Sequence, residues 1–185
     1  MKDKNFYEEV LTKAYKRMHR YSWAEASLQG LQTMWDLPLK GYSWATGGYM
    51  GAILSGQTTC GPLIGSSVAI GLRCGQGMDG VPEEHEGDRN SAIQAVGELY
   101  RDFLKEFDRT DCKTLSHCDF SDSTDLQQWM QDKGWKSTCN VYLKFVMNKC
   151  IEMAEEGKVW WLWPDLTALF CQDVNSNLHF HILSD

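Results

Sequence analysis

The sequence predicts an all-α protein, a mainly helical bundle with an irregular, aromatic C-terminal tail. Two observations carry this. Apolar residues recur at helical spacing in several long stretches of residues 1–156, and residues 157–185 abandon that spacing for clustered aromatics. The expected organisation is therefore one helical domain over 1–156 and a tail over 157–185 packed on it. At 185 residues the chain is long enough for one real hydrophobic core.

In chain order, a first helix is expected over Phe6 to His19, where Phe6, Tyr7, Val10, Leu11, Ala14, Tyr15 and Met18 keep helical period. A second fits Ser22 to Met34, with Ser22 as N-cap and Pro38 beyond its end. The small-residue segment Thr46-Gly47-Gly48-Tyr49-Met50-Gly51-Ala52 suits close backbone approach. A third helix starts near Cys60 and runs to about Leu72, with Gly75 and Gly77 to end it. Residues 75–89 are polar, hold Pro82 and read as a loop. A long helix over Ser91 to Phe107 presents Ile93, Val96, Tyr100, Phe103, Leu104 and Phe107 as its apolar stripe. Short helices fit Cys112 to His117 and Thr124 to Asp132. The last long helix covers Thr138 to Glu155, with Tyr142, Phe145, Val146, Cys150 and Met153 on one face. The tail opens with Val159-Trp160-Trp161-Leu162-Trp163-Pro164, expected as irregular chain or short strand.

Composition narrows the function. Hydrophobic residues are 43% and charged residues 23%, ordinary globular values. A net charge of −7 without a basic stretch disfavours nucleic acid as a partner. The N-terminal stretch lacks the apolar core of a signal peptide, and no apolar run reaches a membrane span, so a cytoplasmic location is expected. Seven cysteines, an odd number scattered along such a chain, fit free, catalytic or metal-bound thiols better than a disulfide framework.

Three cysteines share a context. Cys60 follows Thr58-Thr59, Cys112 follows Thr110-Asp111, and Cys139 follows Ser137-Thr138. Each comes after residues that favour a helix N-cap. A helix N-terminus carries partial positive charge and free N–H groups, which favour thiolate and lower the thiol pKa. Thiolate is the form that binds metal or attacks a disulfide. Three such termini converging would make a redox or metal centre.

Further residues carry a resemblance. Cys60-Gly61-Pro62-Leu63-Ile64-Gly65 looks like the CGAxxG motif of the C_GCAxxG_C_C family of redox proteins. Gly47-Gly48-Tyr49-Met50-Gly51 resembles that family's glycine-rich lead-in, and Ala69-Ile70-Gly71-Leu72 with Gly75 its usual helix ending. The stretch Phe107 to Leu115 resembles the third-cysteine region, and Cys139 followed by Val141 the fourth. The resemblance covers roughly Phe6 to Glu155. The family is also similar to the iron–sulfur part of split-Soret cytochrome c, where four cysteines of a mainly helical fold are associated with a two-iron cluster. What this implies is an iron–sulfur centre with Cys60, Cys112 and Cys139 as ligands, and Gly61, Gly65 and Trp23 beside it. Haem is not implied, because no C-x-x-C-H sequence is present. Two departures stand out. Pro62 replaces the motif's alanine, which the first helical turn tolerates. Trp23, in Tyr21-Ser22-Trp23-Ala24-Glu25-Ala26, stands where the family has its first cysteine, so one ligand is missing.

Cys118, six positions after Cys112, is the candidate fourth ligand, with a non-cysteine ligand or an open position as the alternatives. Cys74 ends the helix that Cys60 begins, about 21 Å away, too far to share one small cluster. Cys150 reads as core, and Cys171 is unassigned. His117 offers nitrogen beside Cys118 but reads better as exposed. His85, His179 and His181 read as incidental, and Trp160, Trp161 and Trp163 as cover for the core. The Gly47-Gly48 segment lacks a phosphate loop's ending. The leading functional expectation is an iron–sulfur protein that carries electrons or senses redox state, its partner an unidentified electron donor or acceptor protein, with a homodimer left open. Its rivals are a metal-free thiol oxidoreductase, with Cys60 attacking and Cys112 or Cys139 resolving, and a helical binding module that has lost the centre.

Overall fold

The computed structural model describes residues 3–17, 22–37, 44–75 and 85–159. The expected tail beyond Val159, with Trp160, Trp161, Trp163, Cys171, His179 and His181, lies outside them, as does His19. The described residues are helical, joined by short turns and one isolated β-bridge. The all-α expectation therefore holds.

Helix α1 spans Lys4–Arg17, with Lys16 and Arg17 in the last turn, where cations suit the carbonyl end. Helix α2 spans Trp23–Met34 behind a complete capping box. The Ser22 hydroxyl accepts from the Glu25 N–H, and the Glu25 carboxylate accepts from the Ser22 N–H. The small-residue segment differs from expectation. It forms two short helices, α3 over Trp44–Gly47 and α4 over Tyr49–Leu54, and Gly48 and Gly51 approach nothing closely.

Helix α5 spans Gly61–Cys74 with Cys60 as its N-cap and Pro62 in its first turn. Helix α6 spans Glu86–Phe107 and begins five residues before the sequence suggested. Glu86 and Asp88 favour the dipole there, a signal that the polar look of the segment hides. Its buried line is Ala95, Leu99 and Phe103, whereas Ile93 and Leu104 of the expected stripe face solvent. Asp108, left-handed at φ 62°, ends it. Helices α7, Cys112–Ser116, and α8, Ser123–Gln131, are capped by the Asp111 and Asp122 carboxylates. A 3-10 turn over Gly134–Lys136 leads into α9, Cys139–Glu155.

Helices α2, α5 and α9 run in the same direction. Gly61 abuts Trp23 and Ala24 at one end, Gly30 abuts Met147 midway, and the Arg73 guanidinium reaches the Trp35 carbonyl at the other end. Helix α6 runs antiparallel, so Phe103 and Phe107 meet Tyr142 and Phe145 near the start of α9. The main core lies between these helices, around Leu28, Leu31, Leu63, Ile70, Leu99, Phe103 and Met147, all fully buried. Cys150 is part of it.

The α2–α5 contact is glycine-dependent. A Cβ on Gly65 would stand 1.9 Å from the Ala24 carbonyl oxygen and 2.1 Å from the Ser27 hydroxyl. A Cβ on Gly61 would meet the Ala24 nitrogen at 3.1 Å. Glycines four apart on one helical face thus let α5 lie directly on the first turns of α2.

Candidate cysteine centre

At the end of the bundle where α2, α5 and α9 begin lies a second, smaller apolar cluster. It contains Ile53, Cys112, Cys118, Phe120, Trp129 and Cys139, with Trp23, Leu126 and Trp135 packed against it. Cys60 sits at its border with the main core.

Thr59 and Asp111 form an isolated antiparallel bridge. The Cys60 N–H donates to the Thr110 carbonyl at 2.7 Å, and the Cys112 N–H to the Thr58 carbonyl at 2.8 Å. Side chains alternate along paired strands, so Cys60 and Cys112 project from the face opposite Thr59 and Asp111. Each is then taken up by a helix start. The Thr58-Thr59 and Thr110-Asp111 dipeptides before these cysteines thus pair with each other, and of the two bridge residues only Asp111 caps, accepting from the Thr114 N–H at 2.8 Å. Thr59 does not cap α5, because Cys60 itself occupies that position. Thr138 stands at the N-cap of α9, but its side chain makes no capping bond: its hydroxyl donates to the Gly134 carbonyl at 2.8 Å and lies 3.7 Å from the Cys139 sulfur.

Cys118 enters from the turn after α7. His117, left-handed at φ 55°, reverses the chain, and the Ser116 hydroxyl donates to the Cys118 carbonyl. His117 itself is exposed. The four thiols Cys60, Cys112, Cys118 and Cys139 are 3%, 8%, 2% and 5% exposed. Charge on Cys112 or Cys139 would be felt at Cys60, and charge on Cys118 at both Cys112 and Cys139. The expected trio and the candidate fourth ligand therefore share one electrostatic neighbourhood. Cys74 lies instead beside Arg73 and Asp88, and Cys150 near Ser66 in the core.

A family model, "Putative redox-active protein (C_GCAxxG_C_C)", matches residues 21–153. The chain belongs to this family. No curated protein and no solved structure matches the chain. The family match begins just ahead of Trp23 and covers every cysteine of the pocket.

The expected lowering of thiol pKa at the helix starts is overturned. Burial pushes Cys60 well above the ordinary thiol value, Cys112 and Cys118 up to about 11, and Cys139 up to about 12. Neighbouring thiols push Cys60 and Cys139 the same way, and nearby Asp111, Asp119, Asp122 and Asp125 add to the rise at Cys112 and Cys118. The Leu63 N–H at Cys60 and the Thr138 hydroxyl at Cys139 work against burial but do not overcome it. The magnitudes explain why. A helix terminus is worth about 0.3–1 kcal/mol, whereas desolvating an ion costs several. Burial therefore favours the neutral thiol at all four positions.

Aromatic rings pack around these cysteines. Trp23 meets Trp129 edge-on at 5.5 Å and Phe120 at 6.1 Å, and Trp129 also meets Trp135. The Trp129 indole donates to the Ser116 carbonyl at 3.1 Å. The Trp23 indole nitrogen is buried without a hydrogen-bond partner. Sequence reasoning did not assign Phe120, Trp129 and Trp135 to the site, although all three flank its cysteines in sequence. It also passed over Tyr142, whose hydroxyl donates to the Leu115 carbonyl and senses Cys60 and Cys139.

Four thiols form a soft donor set, suited to iron–sulfur, zinc or copper(I) and poorly suited to magnesium or calcium. Among the described residues, no group of three or more His, Cys, Asp or Glu side chains is placed so that it could hold a metal ion. The donor chemistry fits a thiolate-bound group; the side chains as they stand are not a preformed metal site.

Proposed function

We propose that this family member is an electron-transfer protein whose Cys60, Cys112, Cys118 and Cys139 hold an iron–sulfur cluster, with Cys118 in place of the cysteine that Trp23 replaces. The observation that carries this reading is the burial of Cys112, Cys118 and Cys139 in one aromatic-lined cluster, with the buried Cys60 within electrostatic reach of Cys112 and Cys139. Bound there, the cluster supplies one-electron redox chemistry. The protein's part is to give four thiolates and to release their protons on loading, so loading should become more favourable as pH rises. Trp23, Phe120 and Trp129 exclude water, and the β-bridge fixes the Cys60–Cys112 pair. A metal-free exchange mechanism is less well supported, because a buried neutral thiol is a poor nucleophile.

The test is the iron, sulfide and zinc content of the full chain prepared without oxygen, with its visible spectrum. Equal iron and sulfide with charge-transfer absorption is expected. Cys60→Ser and Cys118→Ala should each lose most of that absorption, and Cys150→Ser should keep it. Zinc alone, or no metal, would overturn the reading. Full iron in Cys118→Ala would remove Cys118 as a ligand.

A further inference from the structure

The pocket contains one donor with nothing to donate to. The Trp23 indole nitrogen is buried and has no acceptor, although unsatisfied buried donors are costly and rare. Other donors of the pocket are already engaged. Trp129 donates to the Ser116 carbonyl, Ser116 to the Cys118 and Lys113 carbonyls, and Thr138 to the Gly134 carbonyl. The acceptors that remain beside these cysteines are their sulfurs and the Asn140 Oδ1, which is buried next to Cys139 and, like the indole, has no partner, so the two do not bond each other. A neutral thiol accepts weakly; a thiolate or sulfide, being charged, accepts well.

The placement of the indole is tightly constrained. The Trp23 Cβ lies 3.2 Å from where a Cβ of Gly61 would be, directly beside Cys60. Its ring, partly buried, packs against Phe120 and Trp129 at the edge of the cluster that buries Cys112, Cys118 and Cys139. Turning its N–H to solvent would give up these ring contacts.

From this we infer that Trp23 is a positioning residue whose indole N–H hydrogen-bonds a sulfur of the loaded centre and raises its reduction potential. The inference rests on the iron–sulfur reading above. The direction follows from charge. Reduction adds a negative charge, a hydrogen bond to sulfur stabilises the more negative state, and hydrogen bonding to the sulfurs is one of the levers that set such potentials. Where relatives present a ligand, this chain would present a donor, and the missing cysteine becomes a change of tuning rather than a loss of the site.

The experiment compares Trp23→Phe with Trp35→Phe in the full chain, prepared without oxygen. Phenylalanine keeps an aromatic ring in both; the first change removes the unpartnered N–H, and the second lies at the far end of α2, against Arg73 and the main core. Trp23→Phe should retain iron and sulfide and shift the midpoint potential downward by spectroelectrochemistry. Trp35→Phe should leave the potential near that of wild type while lowering thermal stability. A Trp23→Phe protein with full iron and the wild-type potential overturns the inference and leaves the iron–sulfur reading standing. Wild type without iron overturns that reading first. Should Trp23→Phe fail to hold iron, wild type carrying 15N-indole tryptophan decides by pulsed paramagnetic resonance of the reduced centre. A 15N coupling that persists in Trp129→Phe supports the inference, and no coupling overturns it.

Discussion

At the residue scale, two glycines of one helix make opposite predictions. Gly65 has no room for a methyl group, because its Cβ would sit within 2.8 Å of both the Ala24 carbonyl and the Ser27 hydroxyl. Backbone cannot yield as a flexible side chain can, so Gly65→Ala must push α5 off α2. Overpacking costs about 1–3 kcal/mol and occasionally more; the upper end is expected here. Gly71, exposed on the same helix, has nothing within 4 Å of its Cβ. Gly71→Ala should stabilise by about 0.5–1 kcal/mol through helix propensity alone. Urea titration of both variants checks the pair, and equal effects would contradict the packing described. The same scale explains what could be read from residue types. The Gly61–Gly65 spacing gives the close face directly. The thiol ionisation could not be read, because helix starts are visible in a sequence and burial is not. Three capped cysteines pointed to lowered pKa values, and desolvation reversed the sign.

At the element scale, the long helices were legible because apolar period and caps agree over many turns, as at Ser22–Met34 and in the last helix. Short elements were not. Helices α3 and α4 span four and six residues, too few for a period to register. The Thr59–Asp111 bridge joins segments about fifty positions apart, and no local signal gives such a pairing. It nonetheless sets the relation of Cys60 to Cys112, so Asp111 has a dual role as bridge residue and cap of α7. Asp111→Ala should cost about 1 kcal/mol, a typical N-cap value, and reduce the iron retained after mild chelation. Asp111→Asn keeps a capping oxygen and should restore both. Thermal unfolding and iron content measure this. An asparagine variant as impaired as alanine would mean that the carboxylate charge, not the cap, is what matters.

At the scale of the whole molecule, buried neutral thiols make stability depend on pH even where no ligand is involved. Cys150 is fully buried in the core between α5 and α9, away from the centre, and burial pushes its pKa from the ordinary 9.0 up to about 12. Below pH 9 both folded and unfolded chains keep this proton. Above it the unfolded chain releases the proton and the folded chain holds it, so the folded state binds more protons and loses stability as pH rises. The slope is about 1.4 kcal/mol per pH unit for one thiol. Cys150→Ala removes this titration and leaves the other thiols in place. Near pH 8 the variant should be the less stable protein, because truncation leaves a small void. By about pH 10 wild type should have lost roughly 1.4 kcal/mol more than the variant, narrowing the gap or reversing it. Urea unfolding of metal-free wild type and Cys150→Ala across that range measures the gap. A constant difference from pH 8 to pH 10 would mean that Cys150 ionises in the folded chain as readily as in the unfolded one, which a thiol with 0% exposure cannot do.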